Sequence, residues 1–270
     1  MADPKLIIRS GESKEITARR RRFSEIYVES GGQLIVPPRS RNWLLLIVSG
    51  NVTIRGSIVY RQCVASETGR TINLPNGEKL LFKHPRTSLG GFGGNGAVNG
   101  LSGPVRGGRG AQGTNEYGGG GGGGARSFNN GRVNGEDANG FIAGQQIYPG
   151  GDGGRINSGS HGGMICIYCP DGEFNGKQGG IDLRGSNGRA GKDAKMQTRN
   201  DCGGGGGGSP GGDGGHLYVV AKQIVSEPRI FLQPGTGGAP GKGAKGANND
   251  HAGSNGYEGD HGSFGFVDFV

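Results

Sequence analysis

Gly253-Ser-Asn-Gly-Tyr-Glu-Gly-Asp-His-Gly-Ser-Phe-Gly265 places glycine at every third position from end to end. The same beat runs through Gly185, Gly188 and Gly191, through Gly235, Gly238 and Gly241, and through Gly107, Gly110 and Gly113. Two homopolymeric runs, Gly118–Gly124 and Gly203–Gly208, satisfy any beat. Of 64 glycines only seven precede residue 90, so 57 crowd into the remainder. A period of three belongs neither to the α-helix (3.6) nor to the β-strand (2). It is the period of the polyproline-II helix.

Two readings compete for residues 90–265. A flexible glycine linker is one. The other is a set of extended, left-handed helices packed with glycine inward. Ordering a glycine costs roughly 0.5–1 kcal/mol more than ordering an alanine. Over the whole field that is on the order of tens of kcal/mol, so packing must compensate. A lone polyproline-II helix has no internal hydrogen bonds, so its N–H and C=O groups must pair with neighbours. A Cβ on the beat would hold those neighbours apart. Gly/Ser linkers lack large side chains, whereas this field carries Phe92, Phe174 and Phe264 among others, which favours packing. Collagen does not fit, because the beat is repeatedly broken and the chain has only 12 prolines.

The fold class expected is therefore all-β and irregular: a small N-terminal β domain, then a bundle of polyglycine-II helices with short interspersed strands and no significant α-helix. Residues 1–89 hold seven strand-like runs at Ile26–Val28, Leu34–Val36, Trp43–Val48, Val52–Ile54, Ile58–Tyr60, Ile72–Leu74 and Leu80–Phe82, separated by Gly, Pro and Asn turns. Trp-Leu-Leu-Leu-Ile-Val is continuous rather than alternating, which predicts burial on both faces. Within 90–270, strands are expected near 164–169, 217–224, 230–232 and 264–270. Pro149-Gly-Gly-Asp-Gly-Gly154 recurs as Pro210-Gly-Gly-Asp-Gly-Gly215. Each copy follows a polyglycine run and leads to an apolar strand that starts after Gly-Gly. Segments rich in polar and aromatic residues, such as 127–130, 136–148 and 248–257, are expected to be turns of the glycine excursions.

The hydrophobic fraction, 31%, makes any apolar core thin. The formal net charge of +8 is concentrated in residues 1–62. Met1–Ser10 has no apolar signal region, and Trp43–Val48 is too short to cross a bilayer, so the chain is expected to be made in a cytoplasm. Cys166-Ile-Tyr-Cys169 looks like half a zinc site. In a strand, however, positions i and i+3 face opposite sides, and no second pair completes it. Gly237-Gly-Ala-Pro-Gly-Lys-Gly243 lacks the first glycine and the Ser/Thr of a phosphate loop. No nucleophile accompanies Asp250-His251 or Asp260-His261, and no triad or carboxylate pair is legible. No catalytic residue, metal or cofactor is expected. Arg19, Arg20, Arg21 and Arg22 form the one dense basic run, a docking surface or else a solvated strand before Phe23.

Gly-Gly-Phe-Gly-Gly-Asn-Gly, Tyr117 with its polyglycine run, and Cys202-Gly-Gly-Gly-Gly-Gly-Gly-Ser-Pro-Gly-Gly-Asp-Gly-Gly-His-Leu-Tyr-Val-Val-Ala221 resemble the glycine-rich tail-fibre-tip adhesins of T-even-type bacteriophages. The resemblance covers roughly 90–270 and implies a non-enzymatic virion protein, located at the tail. Its polyglycine-II scaffold would present loops to a bacterial outer-membrane protein or surface glycan. No small-molecule substrate is implied. Under that reading Tyr117, Phe128, Phe141, Tyr148 and Tyr257 are the candidate receptor contacts, since aromatic rings give large contact area at low entropic cost. Residues 1–89, with Arg19–Arg22, would dock on other virion proteins. The alternatives are a structural virion component (capsid decoration, head fibre or tail-tip protein) and a glycine-rich nucleic-acid binder. The second is disfavoured because Arg106-Gly-Gly-Arg-Gly110 occurs once and no aromatics interleave the basic run.

Overall fold

The computed structural model describes residues 3–37, 43–60, 71–81, 162–188, 190–191, 193, 208, 211–243 and 261–270, with the backbone alone of short strands at 97–100, 103–106, 125–126, 147–148 and 201–202. The chain winds as a coil of parallel strands with three faces. The first turn is β1 (Lys5–Ile8), β2 (Ser13–Glu15) and β3 (Arg20–Phe23), and the second is β4 (Glu25–Val28), β5 (Gln33–Val36) and β6 (Trp43–Val48). The third begins with β7 (Val52–Ile54) and β8 (Ser57–Tyr60). A long excursion follows, containing β9 (Thr71–Asn73), β10 (Lys79–Leu81), β11 (Ala97–Gly100), β12 (Gly103–Arg106), β13 (Ala125–Arg126) and β14 (Ile147–Tyr148). The first half of β15 (Met164–Asn175) closes that turn and its second half opens the fourth. The fourth turn continues through β16 (Gly180–Asp182) and an excursion carrying β17 (Asp201–Cys202), to the first half of β18 (His216–Ser226). The last turn is the rest of β18, β19 (Arg229–Phe231) and β20 (Phe266–Phe269).

Each turn adds one strand to each face. The first face is β1, β4, β7, β15 and β18. The second is β2, β5, β8, β16 and β19. The third is β3, β6, β15, β18 and β20. All these pairings are parallel, and β15 and β18 turn a corner and so serve two faces. The expected strand at 164–169 therefore runs on to Asn175, with its register broken between Cys169 and Glu173. Gly172 makes that bend possible, since a methyl group there would meet the Gly50 carbonyl. No α-helix occurs among the described residues.

Alternation explains the core. β4, β5 and β8 each bury every second residue, as period-two strands must. Their inward side chains stack in columns. Leu34, Ile58 and Ile181 stand in one register and Leu46, Ile167 and Val219 in another, all fully buried. β6 is buried on both sides as expected. Leu44 and Leu46 face the coil interior, while Leu45 and Ile47 join Ile72, Leu74 and Leu80 of the β9–β10 hairpin in a second cluster outside. The interior cluster mixes residues 6–60 with residues 165–219. Strands expected of two units, 1–89 and 90–270, thus lie in common sheets around one core.

β1, β2 and β3 carry little sequence signal. Ser-Lys-Glu of β2 is exposed throughout and is held as a strand by β5. Lys14 stands in the register of inward Leu34, and its Nζ donates to the Ile7 carbonyl at 2.6 Å. The first turn therefore ends the core with charge, as terminal turns of stacked folds require. At the equivalent corners of turns one and two, Gly11 and Gly31 have φ of 78° and 81°. This is the left-handed region that glycine enters without steric cost.

Candidate functional site

All three long excursions leave and return at one corner of the coil, between the second and third faces. The residue that ends the second face accepts a hydrogen bond from the glycine that begins the third. Gly163 N–H donates to Tyr60 O at 3.4 Å, Gly215 N–H to Leu183 O at 2.7 Å, and Gly265 N–H to Leu232 O at 3.1 Å. These three glycines stack in one column, as the register of the strands they precede requires. This is the structural meaning of strands that begin after Gly-Gly.

The returning segments pair by the three-residue beat. Gly185, Gly188 and Gly191 donate to the carbonyls of Gln233, Thr236 and Ala239 at 3.0, 2.8 and 2.9 Å. Every third residue on one segment meets every third on the other. The third position of a triplet can answer: Asn187 Oδ1 accepts from Thr236 N–H at 3.0 Å, and Asp193 Oδ1 from Lys242 N–H at 2.6 Å. Contacts also run sideways. Gly212 donates to Ser186 O, Gly235 to Gly212 O and Gly262 to Gly235 O, at 2.8–2.9 Å. Segment 233–243 thereby touches three others. Among the described glycines only Gly11, Gly31 and Gly77 have positive φ. The beat glycines are needed for room, not for backbone freedom: a methyl group on Gly235 would meet the Ser186 carbonyl.

Asp213, from the second Pro-Gly-Gly-Asp-Gly-Gly, is buried, and its Oδ1 accepts from Ser263 N–H at 2.7 Å. This copy of the motif is a tie between excursions. Buried His216 lies 2.9 Å from Asp268 Oδ2, joining β18 to β20. Neither polar residue stood out in the sequence as structural. The only cue was the duplicated motif.

Beside the corner lies a groove of about 550 Å³ lined by Arg184, Ser186, Asn187, Phe231, Gln233 and Pro234. Arg184 grips Asp182 through Nε at 2.9 Å and Nη2 at 2.7 Å. Asp182 holds the guanidinium pKa above its ordinary value. The guanidinium carbon also sits 5.5 Å from the Phe231 ring centroid. Phe231 and Asp182 are neighbours in the parallel register of β16 and β19, which brings the groove together.

Of the basic run, Arg20–Arg22 form β3 and are exposed, and among the described residues β3 pairs with β6 alone. Arg20 Nη2 donates to Asn73 O at 2.7 Å, so it helps fasten the hairpin. Arg19 is half-buried, 5.6 Å from the Trp43 ring centroid. Tyr117, Phe128, Phe141 and Tyr257 lie outside the described residues. Tyr148 pairs through its backbone with Ala125.

Cys166 packs in the outer cluster and Cys169 in the inner one, on opposite sides of β15 as the spacing required. Burial pushes both thiols from 9.0 up to about 12, Cys169 adding to the effect on Cys166. The folded chain therefore holds two protons that an unfolded chain releases above pH 9. The thiols' contribution to stability is fully present below pH 9 and is lost as pH rises toward 12, by about 1.4 kcal/mol per pH unit for each thiol. Thermal melts between pH 8 and 11 should show this fall, with a shallower slope in a Cys166→Ala, Cys169→Ala double variant. Equal slopes would show that the thiols are not its source. Among the described residues no three His, Cys, Asp or Glu side chains gather as metal ligands. Set against protein-family models, curated proteins and solved structures, the chain matches none.

Proposed function

We propose that this chain is a non-enzymatic bacteriophage virion protein, an adhesin whose coil carries a polyglycine-II bundle that presents loops to a bacterial surface. One observation carries the reading. Each excursion starts and ends across a single hydrogen bond at the same corner of the coil. An insertion whose ends already touch can vary in length and sequence at little cost to the scaffold, since loop closure grows only slowly with length. Function then concentrates in such loops. The three-residue ladder and its sideways bonds support polyglycine-II packing for 184–188, 190–191, 211–215, 233–243 and 261–265. The exposed arginines of β3, an edge strand among the described residues, suit docking on an acidic partner in the particle.

Deleting residues 127–148 is expected to leave the thermal unfolding of the coil within a few degrees of the intact chain and to abolish binding of the purified protein to susceptible bacteria. Unchanged cell binding would remove those loops, with Phe128, Phe141 and Tyr148, from the receptor assignment. Electron microscopy of labelled particles separates the adhesin from a structural decoration. A position away from the distal tail favours decoration.

A further inference from the structure

We propose that the groove between the second face and the excursion roots binds a neutral saccharide, with Phe231 as its platform and Gln233 and Asn187 as its polar contacts. The proposal deepens the adhesin reading and rests on it for its biological setting, but its chemistry stands on the groove alone.

A sugar ring has an apolar patch of C–H groups on one side and hydroxyls around its rim. Each hydroxyl both donates and accepts. A matching site needs aromatic surface beside side chains that also do both, and carboxamides and hydroxyls meet that need. The groove combines these. Phe231 is 37% exposed although it belongs to the last strand of a face, which leaves ring surface open to a ligand. Gln233, Asn187 and Ser186 are exposed around it. The volume, about 550 Å³, lies within the range of small-molecule sites.

The charge arrangement selects against anions. Among the described residues Arg184 is the one cationic side chain of the lining, and both its Nε and its Nη2 bond to the Asp182 carboxylate. A sulfate, phosphate or carboxylate would meet a cation whose charge that carboxylate already balances, and would face the carboxylate's own negative charge. A neutral polyol can add hydrogen bonds to the pair's outer edge without breaking it.

The groove is also held in shape before any ligand arrives. Gly185 N–H to Gln233 O ties its two walls at 3.0 Å. Asn187 Oδ1 is fixed by Thr236 N–H, which leaves the amide NH2 as the end that meets a ligand. Arg184 lies against Phe231, so neither side chain needs ordering. Such preorganisation lets a small, polar contact set give measurable affinity.

The test uses the full-length protein, a panel of short neutral oligosaccharides of glucose, galactose, mannose, rhamnose and N-acetylglucosamine, and their sulfated counterparts. Expected is binding of at least one neutral probe, weaker binding of its sulfated form, and a loss of about tenfold or more in Phe231→Ala and in Gln233→Ala. Tenfold corresponds to about 1.4 kcal/mol. Gln233→Ala keeps the backbone carbonyl that the ladder uses, and thermal melts confirm that both variants fold. Binding should survive deletion of 127–148. If no neutral probe binds, or if binding is indifferent to both substitutions, the groove assignment is overturned. The adhesin reading still stands in those cases if the 127–148 deletion abolishes attachment to cells. It falls separately if that deletion, and a protein-coated surface offered to the cells, change nothing.

Discussion

Gly215→Ala will lower the unfolding free energy by about 3 kcal/mol or more and the melting temperature by about 6–12 °C, the shift expected for a unit of this size. Gly215 is the middle of the three stacked glycines at the corner where excursions return. Its N–H donates to Leu183 O at 2.7 Å, and its carbonyl accepts from Phe266 N–H at 3.0 Å. A Cβ there would meet the Gly163 carbonyl, with Leu183 Cβ at 2.8 Å and the Gly162 carbonyl carbon at 3.0 Å. Two of those neighbours are backbone and none is the end of a side chain that could swing away. Relief requires separating β15 from β18, the two longest strands, and loosening the hydrogen bonds on either side. Overpacking typically costs about 1–3 kcal/mol where side chains can shift, so a backbone clash belongs at or above the top of that range. The control is Gly180→Ala. Gly180 is also in a strand, but a Cβ there would find only Phe231 Cε2 at 3.6 Å and the Arg229 carbonyl at 4.0 Å, ordinary contact distances. That substitution should be neutral or slightly stabilising, because alanine loses less backbone entropy on folding. Melting curves of both variants decide the matter. A Gly215→Ala protein as stable as the Gly180→Ala protein would mean that the corner is not packed as described.

The strands that could be read from sequence are those whose own residues alternate. Glu-Ile-Tyr-Val, Gln-Leu-Ile-Val and Ser-Ile-Val-Tyr declare a buried face without help from any partner. The three-residue beat was equally legible, because Gly185, Gly188 and Gly191 sit on a ladder whose period is local. What joins these pieces is not local. Leu45 pairs with Cys166, which lies beyond the whole first excursion, and no pattern in either segment names the other. This is why residues 1–89 read as a domain of their own. β2 has no apolar residue and β3 is mostly arginine, so only their parallel partners reveal them as strands. The groove was invisible for the same reason. Arg184 and Phe231 are far apart in sequence and meet because Asp182 and Phe231 share a register.

Residues 1–89 expressed alone will show no cooperative unfolding transition. They retain two turns of the coil and two strands of a third. Missing are the strand that pairs with β6 over Trp43–Ile47, the second partners of β7 and β8 (β15 and β16), and the core side chains Ile165, Ile167, Phe174, Ile181, Leu217 and Val219. Losing one fully buried aromatic such as Phe174 already costs about 3–5 kcal/mol, comparable with the whole stability of many small domains. Stacked folds also need roughly three complete turns before neighbour contacts outweigh chain entropy. The fragment should therefore bind a hydrophobic dye, melt without a sigmoid and lack fixed tertiary signals. The opposite cut should be tolerated. Residues 1–81 and 162–270 joined by a flexible linker keep every strand of the three faces and the hairpin over β6. Tyr60 O and Gly163 N lie 3.4 Å apart at the root of the excursion from which that segment is cut. That shortened chain should unfold in one transition, although it lacks far more of the excursion than the 127–148 deletion does. A sharp melt from the 1–89 fragment, or its absence from the joined chain, would contradict a single coil built from both ends of the sequence. The contrast matters because both variants remove long stretches of chain, and only the positions of strand partners distinguish them.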